Sequence, residues 1–199
     1  MVEHNRPKAG DAIRVDPIRE LKNVKLIKKL LADRPRDLAI FTLGINTNLR
    51  ASDILRITIG HVRHLGPEEH FVIREKKTGK EKAITINKTV HAAIRQLIQT
   101  LPADTPDETP LFRSRKGDAK ALTVSYLHKL VKGWCREINL VGNYGSHTLR
   151  KTFGYMHRVV NHTDLPTLMQ MFNHSTQRQT LSYLGIQAEE IKSAYLFEL

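Results

Sequence analysis

The chain has 199 residues, 40% of them hydrophobic, with 32 lysines and arginines against 20 aspartates and glutamates, a formal charge of +12. That length supports one domain with a real core, and the positive excess favours a polyanionic partner such as nucleic acid, although membrane-surface proteins share the balance. A single cysteine, Cys135, excludes an internal disulfide and a cysteine-based zinc cluster, and no apolar run reaches the roughly 18 residues of a membrane span, so a cytoplasmic chain is expected.

Residues 1–16 are short of large apolar side chains and carry Arg6, Lys8 and Arg14, which reads as a basic flexible tail; a DNA-gripping arm is the alternative. Over 18–31, Leu21, Val24, Ile27, Leu30 and Leu31 recur at steps of three or four, a helical stripe with lysines opposite. Pro35 suits a helix's first turn, and Leu38, Ile40, Phe41, Leu43 and Ile45 predict a central core helix. It stops at 44–48, where asparagine can take positive φ.

Arg50 then stands where a helix begins, with Ser52 and Asp53 in reach of its guanidinium. On a surface such a pair contributes little; at the end of a buried helix's turn a fixed arginine is useful. Two β-rich runs, 70–75 and 82–86, flank Lys76-Lys77-Thr78-Gly79-Lys80 and predict a hairpin, with 62–65 a candidate third strand. Lys76, Lys77, Lys80 and Lys82 at its tip either track a phosphate backbone or form a solvated turn.

A helix over 89–101 is followed by an acidic, proline-rich loop over 102–110 and a basic turn containing Arg113, Arg115 and Lys116, a candidate phosphate contact. The helix over 122–138 turns Leu127, Leu130, Val131, Trp134 and Ile138 inward, with Tyr126 as a further candidate and Cys135 in the core. Asp164 caps a short helix before Pro166, and Leu168, Met169, Met171 and Phe172 read as core. A last helix is expected over 187–196. His61 and His64 lie close together, but no acidic cluster accompanies them at metal-ligand spacing, so a metal site is not expected.

The segment 145–184 gathers the chemistry. His147 and Arg150 stand three apart on a predicted helix, so an imidazole and a cation project toward one region. His174 precedes Tyr183 by nine residues, bringing a second imidazole and a phenol toward the same point. Such a set suits attack by a phenol on a phosphate diester.

Taken in order, Leu49-Arg50-Ala51-Ser52-Asp53, Lys77-Thr78-Gly79-Lys80, His147-Thr148-Leu149-Arg150-Lys151-Thr152, Asn173-His174-Ser175 and Tyr183 resemble the catalytic domain of the tyrosine recombinases, the phage integrase family. Where that family commonly has Leu-Gly-His, this chain has Phe172-Asn173-His174. The resemblance implies a mainly α fold with a small antiparallel β-sheet (α+β), a catalytic domain over 17–199, and no N-terminal core-binding domain. It implies double-stranded DNA as substrate and partner, cleavage without metal or other cofactor, a tetramer on DNA, and accessory DNA-bending proteins as further partners. The roles it implies are nucleophile for Tyr183, phosphate binding for Arg50, Arg150 and His174, proton transfer for His147 and Lys77, and support for Asp53. Lys76, Lys80, Lys82, Arg113, Arg115, Lys116 and Lys151 are the candidate DNA-binding cations. A noncatalytic DNA-binding relative of the same fold is the alternative.

Overall fold

A computed structural model of the chain describes residues 15–114 and 120–186, with positions 192, 195, 196 and 198. Its elements run α1 (Leu21–Leu30), α2 (Pro35–Asn46), α3 (Ala51–Ile54), α4 (Ile59–Val62), β1 (His70–Arg74), β2 (Glu81–Thr85), α5 (Lys88–Ile98), α6 (Val124–Glu137), α7 (Ser146–Val159), α8 (Leu165–Phe172) and α9 (Gln177–Leu184).

The helices begin where their sequences allow. Pro35 occupies the first turn of α2, where its missing N–H costs nothing. Asn87, Thr123, Asp164 and Thr176 each accept a backbone N–H from the first turn of α5, α6, α8 and α9, respectively, satisfying donors that the helix leaves open. Asn173 ends α8 at φ 54°, the left-handed geometry that asparagine tolerates.

α2 is the hub. Ile40, Phe41 and Leu43 are fully buried, and Phe41 meets Trp134 of α6 edge to face with ring centroids 6.0 Å apart. Gly44 is a close-approach point: a Cβ there would stand 2.6 Å from Leu149 Cδ1 on α7. The N-terminal strap is fixed to α7 as well, because the Ile18 N–H donates to Thr152 Oγ1 at 2.9 Å. One large hydrophobic cluster joins α1 to α7 and the hairpin. A smaller one, formed by Phe153, Leu168, Phe172 and Leu184, joins α7, α8 and α9 and lies beneath Tyr183.

β1 and β2 pair antiparallel, from His70 opposite Thr85 to Arg74 opposite Glu81, and Gly79 takes φ +68° in the connecting turn. The candidate third strand over 62–65 is not one: Val62 ends α4 and the following residues form a turn. Val62 and Leu65 are spaced by three, which suits a helical turn better than an alternating strand. Leu21, read as part of the apolar stripe, points outward in the first turn of α1, as does Tyr126, a core candidate, in the first turn of α6. Helix ends lie at the margin of the core, where periodicity predicts burial poorly. Among the described residues no helix is long and apolar enough to cross a membrane. The last helix expected over 187–196, and Arg115 and Lys116, fall outside the described residues apart from the positions named above.

Candidate active site

Arg150 is the centre of the site and one of the largest fully buried side chains, 1% exposed. Its Nη1 donates to the Asn48 carbonyl and its Nη2 to the Phe172 carbonyl at 3.1 Å. Its Cζ lies 4.9 Å from the Phe172 ring centroid and 5.4 Å from that of Tyr183. Burial, and then the nearby charge of Arg50, lower its pKa to about 10, so it stays cationic at neutral pH. Its Nε is buried and has no hydrogen-bond partner among the described residues.

Arg50 occupies the N-cap position of α3, and its carbonyl accepts the N–H groups of Asp53 and Ile54. Its Nη1 pairs with Glu75 Oε1 at 2.7 Å and stands 3.9 Å from Asp53 Oδ2. Asp53, fully buried, accepts the Lys76 backbone N–H through Oδ1 at 2.9 Å, so it joins α3 to the start of the hairpin turn. Glu75 also accepts the Thr78 hydroxyl at 2.8 Å. Burial pushes the Glu75 carboxyl up, but the contacts with Arg50 and Thr78 and the charge of Lys82 outweigh it and hold its pKa below the usual value.

His174 follows the left-handed Asn173, and its own N–H returns to the Met169 carbonyl at 3.0 Å. Its Nδ1 meets Thr180 Oγ1 at 3.1 Å, and its ring lies 5.4 Å from Tyr183 and stacks on Phe172 at 5.1 Å. Burial first, then Arg150, Arg50 and Lys82, push its pKa down to about 4, so at neutral pH the imidazole is neutral. His147 is more exposed, in the first turn of α7. Its pKa is lowered by partial desolvation and then by Arg150, Lys151, Arg50 and His128. Gly145 lets His128 come close, since a Cβ there would sit 2.3 Å from His128 Nδ1.

The structure therefore gathers Arg50, Asp53, Arg150, His174 and Tyr183 closely, with His147 at the edge. Lys76, Lys77 and Lys80 stand exposed at the hairpin tip. Lys82 does not: its Nζ turns inward and donates to Asn48 Oδ1 and, at 2.7 Å, to the Met171 carbonyl. Arg113 is half-buried, and its carbonyl accepts Arg36 Nη1 at 3.1 Å. Lys151 follows Arg150 on α7 and is half-buried. His61 serves a structural end, its ring nitrogen 2.8 Å from Thr58 Oγ1 at the start of α4.

Residues 18–190 match the phage integrase family. The chain belongs to that family, the tyrosine recombinases. It is 31% identical over 182 residues to the probable integrase/recombinase YoeC of Bacillus subtilis, covering 91% of this chain and 95% of YoeC. It is 29% identical to the tyrosine recombinase XerC of Caldanaerobacter subterraneus, covering 84% of this chain and 47% of XerC; the recombinase thus spans about half the length of that relative. Among solved structures it resembles the XerA recombinase, with TM-score 0.73, 16% identity, and 94% of this chain and 66% of that one covered. It also resembles the XerH site-specific recombinase in a post-cleavage complex with its palindromic difH substrate, with TM-score 0.72, 19% identity, and 92% and 53% covered.

Three residues of this recombinase's site escaped the sequence reading. Glu75 continues the inward alternation of Phe71 and Ile73 along β1, and a glutamate at an inward strand position is the signal that could have found it. Asn48 was legible as a turn residue but not as the acceptor for Arg150. Thr180 lies six residues beyond His174, and no sequence pattern marks that pairing.

Proposed function

We propose that this recombinase cleaves and rejoins duplex DNA by transesterification through Tyr183. The phenolic oxygen attacks the scissile phosphorus, a 3′-phosphotyrosyl bond forms, and the bond to the 5′ oxygen breaks. The phenol's proton passes to His147, and the departing 5′ oxygen takes a proton from Lys77 on the hairpin. Reversal by a 5′ hydroxyl rejoins a strand without an outside energy source.

The observation that carries this reading is the position of Tyr183, whose ring lies on Arg150 and His174 at 5.4 Å from each. The other phenols have different surroundings. Tyr144 is buried with its hydroxyl on the Val141 carbonyl, Tyr155 is buried beside Arg19 and Arg158, and Tyr126 and Tyr195 are exposed. The buried Nε of Arg150, without a hydrogen-bond partner among the described residues, supports a role in holding a nonbridging phosphate oxygen, with Arg50 and neutral His174 completing the cradle. The charge of +12 supports a duplex as the substrate. From its family membership, we further propose that the recombinase acts as a tetramer on DNA, with accessory DNA-bending proteins as partners.

The test is covalent capture from a library of nicked duplexes carrying randomised inverted repeats. The wild type is expected to yield a detergent-resistant adduct, and Tyr183→Phe none. Salt-dependent binding with several phosphate contacts and no adduct from the wild type would favour a noncatalytic DNA-binding protein.

A further inference from the structure

The end of α8 presents four carbonyls that an α-helix cannot satisfy internally. Two are met by the turn that follows, since Asn173 N–H bonds to Met169 and Gln170 and His174 N–H to Met169. The other two, Met171 and Phe172, are met by side chains from distant elements. The Met171 carbonyl accepts Asn48 Nδ2 and Lys82 Nζ, and the Phe172 carbonyl accepts Arg150 Nη2.

Asn48 is the joint of this network. It lies two residues before Arg50 at φ 49°, a geometry that turns its carbonyl onto Arg150 Nη1 while its side chain reaches α8. Lys82 closes the arrangement from β2, donating to Asn48 Oδ1 and to the Met171 carbonyl. The two carbonyls that aim the Arg150 guanidinium therefore belong to two backbone segments that Lys82 ties together.

We propose that Lys82 and Asn48 are positioning residues for the recombination reaction, forming a brace across the α2–α3 turn and the end of α8 that fixes the Arg150 guanidinium. This rests on the reading of Arg150 as a phosphate-binding group. The brace differs from a hairpin lysine that contacts DNA, because its ammonium is directed into the protein. Placing a cation at the C-terminal end of α8 also matches the negative end of that helix's dipole. Burial, and then the charge of Arg150, bring the Lys82 pKa down to about 8, as expected for an amine held among cations for its hydrogen bonds.

Two measurements on the full chain test the brace, using Lys82→Met, which keeps the aliphatic stem, and Asn48→Gly, which tolerates the positive φ and removes only the side chain. The first is ¹⁵N NMR of the arginine side chains without DNA. In both variants the Arg150 N–H groups are expected to exchange with solvent about 10- to 100-fold faster than in the wild type, the equivalent of losing one charge-assisted hydrogen bond. The second is single-turnover cleavage of a captured nicked duplex. Lys82→Met is expected to slow the cleavage step by a similar factor with DNA affinity unchanged, and to add little in an Arg150→Lys background. Unchanged Arg150 exchange in both variants overturns the brace, as does a full, multiplicative cleavage defect of Lys82→Met on top of Arg150→Lys. An Arg150→Lys protein that cleaves at the wild-type rate, with the exchange result as expected, instead overturns the phosphate-binding reading and leaves the brace standing.

Discussion

Replacing Glu75 with alanine leaves the Arg50 guanidinium without its nearest counter-ion. The pair is 2.7 Å apart, with the Arg50 side chain 15% exposed and that of Glu75 fully buried. Removing one partner of a buried pair costs about 3–5 kcal/mol, because the remaining charge keeps its desolvation penalty. Asp53 remains 3.9 Å from the same nitrogen and offsets part of the loss, so the low end, about 3 kcal/mol, is expected for Glu75→Ala. In a domain of this size each kcal/mol moves the melting midpoint by roughly 2–4 °C, which gives a fall of about 6–12 °C. The assay is thermal unfolding followed by circular dichroism, wild type against Glu75→Ala, over a range of pH. The Glu75 pKa lies below its ordinary 4.5, so the pair's contribution is complete above that value and is lost as pH falls through the lower folded value. The gap between the two proteins should therefore close in acid. A variant that melts within about 1 °C of the wild type at pH 7 would refute the idea that Glu75 holds Arg50 in place.

Thr180→Val removes the hydroxyl that meets His174 Nδ1 at 3.1 Å; cleavage should slow about tenfold, the worth of one hydrogen bond, and Thr180→Ser should restore it in single-turnover kinetics. The His174 ring should titrate near pH 4 when followed by NMR in the free protein, and a midpoint at an ordinary histidine value would contradict its placement among Arg150, Arg50 and Lys82. Gly154→Ala puts a Cβ 2.9 Å from Phe172 Cζ, inside the small cluster beneath Tyr183; overpacking there should cost about 1–3 kcal/mol in denaturant unfolding.

The long amphipathic helices were legible because each repeats its apolar positions over several turns: Val90, Ala93, Ile94 and Leu97 of α5, and Leu127, Val131 and Trp134 of α6, are all buried. The hairpin was legible from its β-branched runs and Gly79. α3 and α4 have four residues each, too few for periodicity to register, and so Val62 read as part of a candidate strand. The site divides in a similar way. Arg50, His147, Arg150, His174 and Tyr183 sit in local patterns with fixed spacing. Glu75, Asn48 and Thr180 act on them through contacts between elements, which no window along the chain contains. Lys82 shows the same limit: its place beside a basic turn suggested solvent and phosphate, and only the fold directs its ammonium onto Asn48 and Met171.

The most direct measurement is peptide mapping by mass spectrometry of the adduct formed on a nicked duplex. The chain has five tyrosines, and the nucleotide remnant is expected on Tyr183, linked through its 3′ phosphate. A remnant on Tyr126, Tyr144, Tyr155 or Tyr195 would contradict the account.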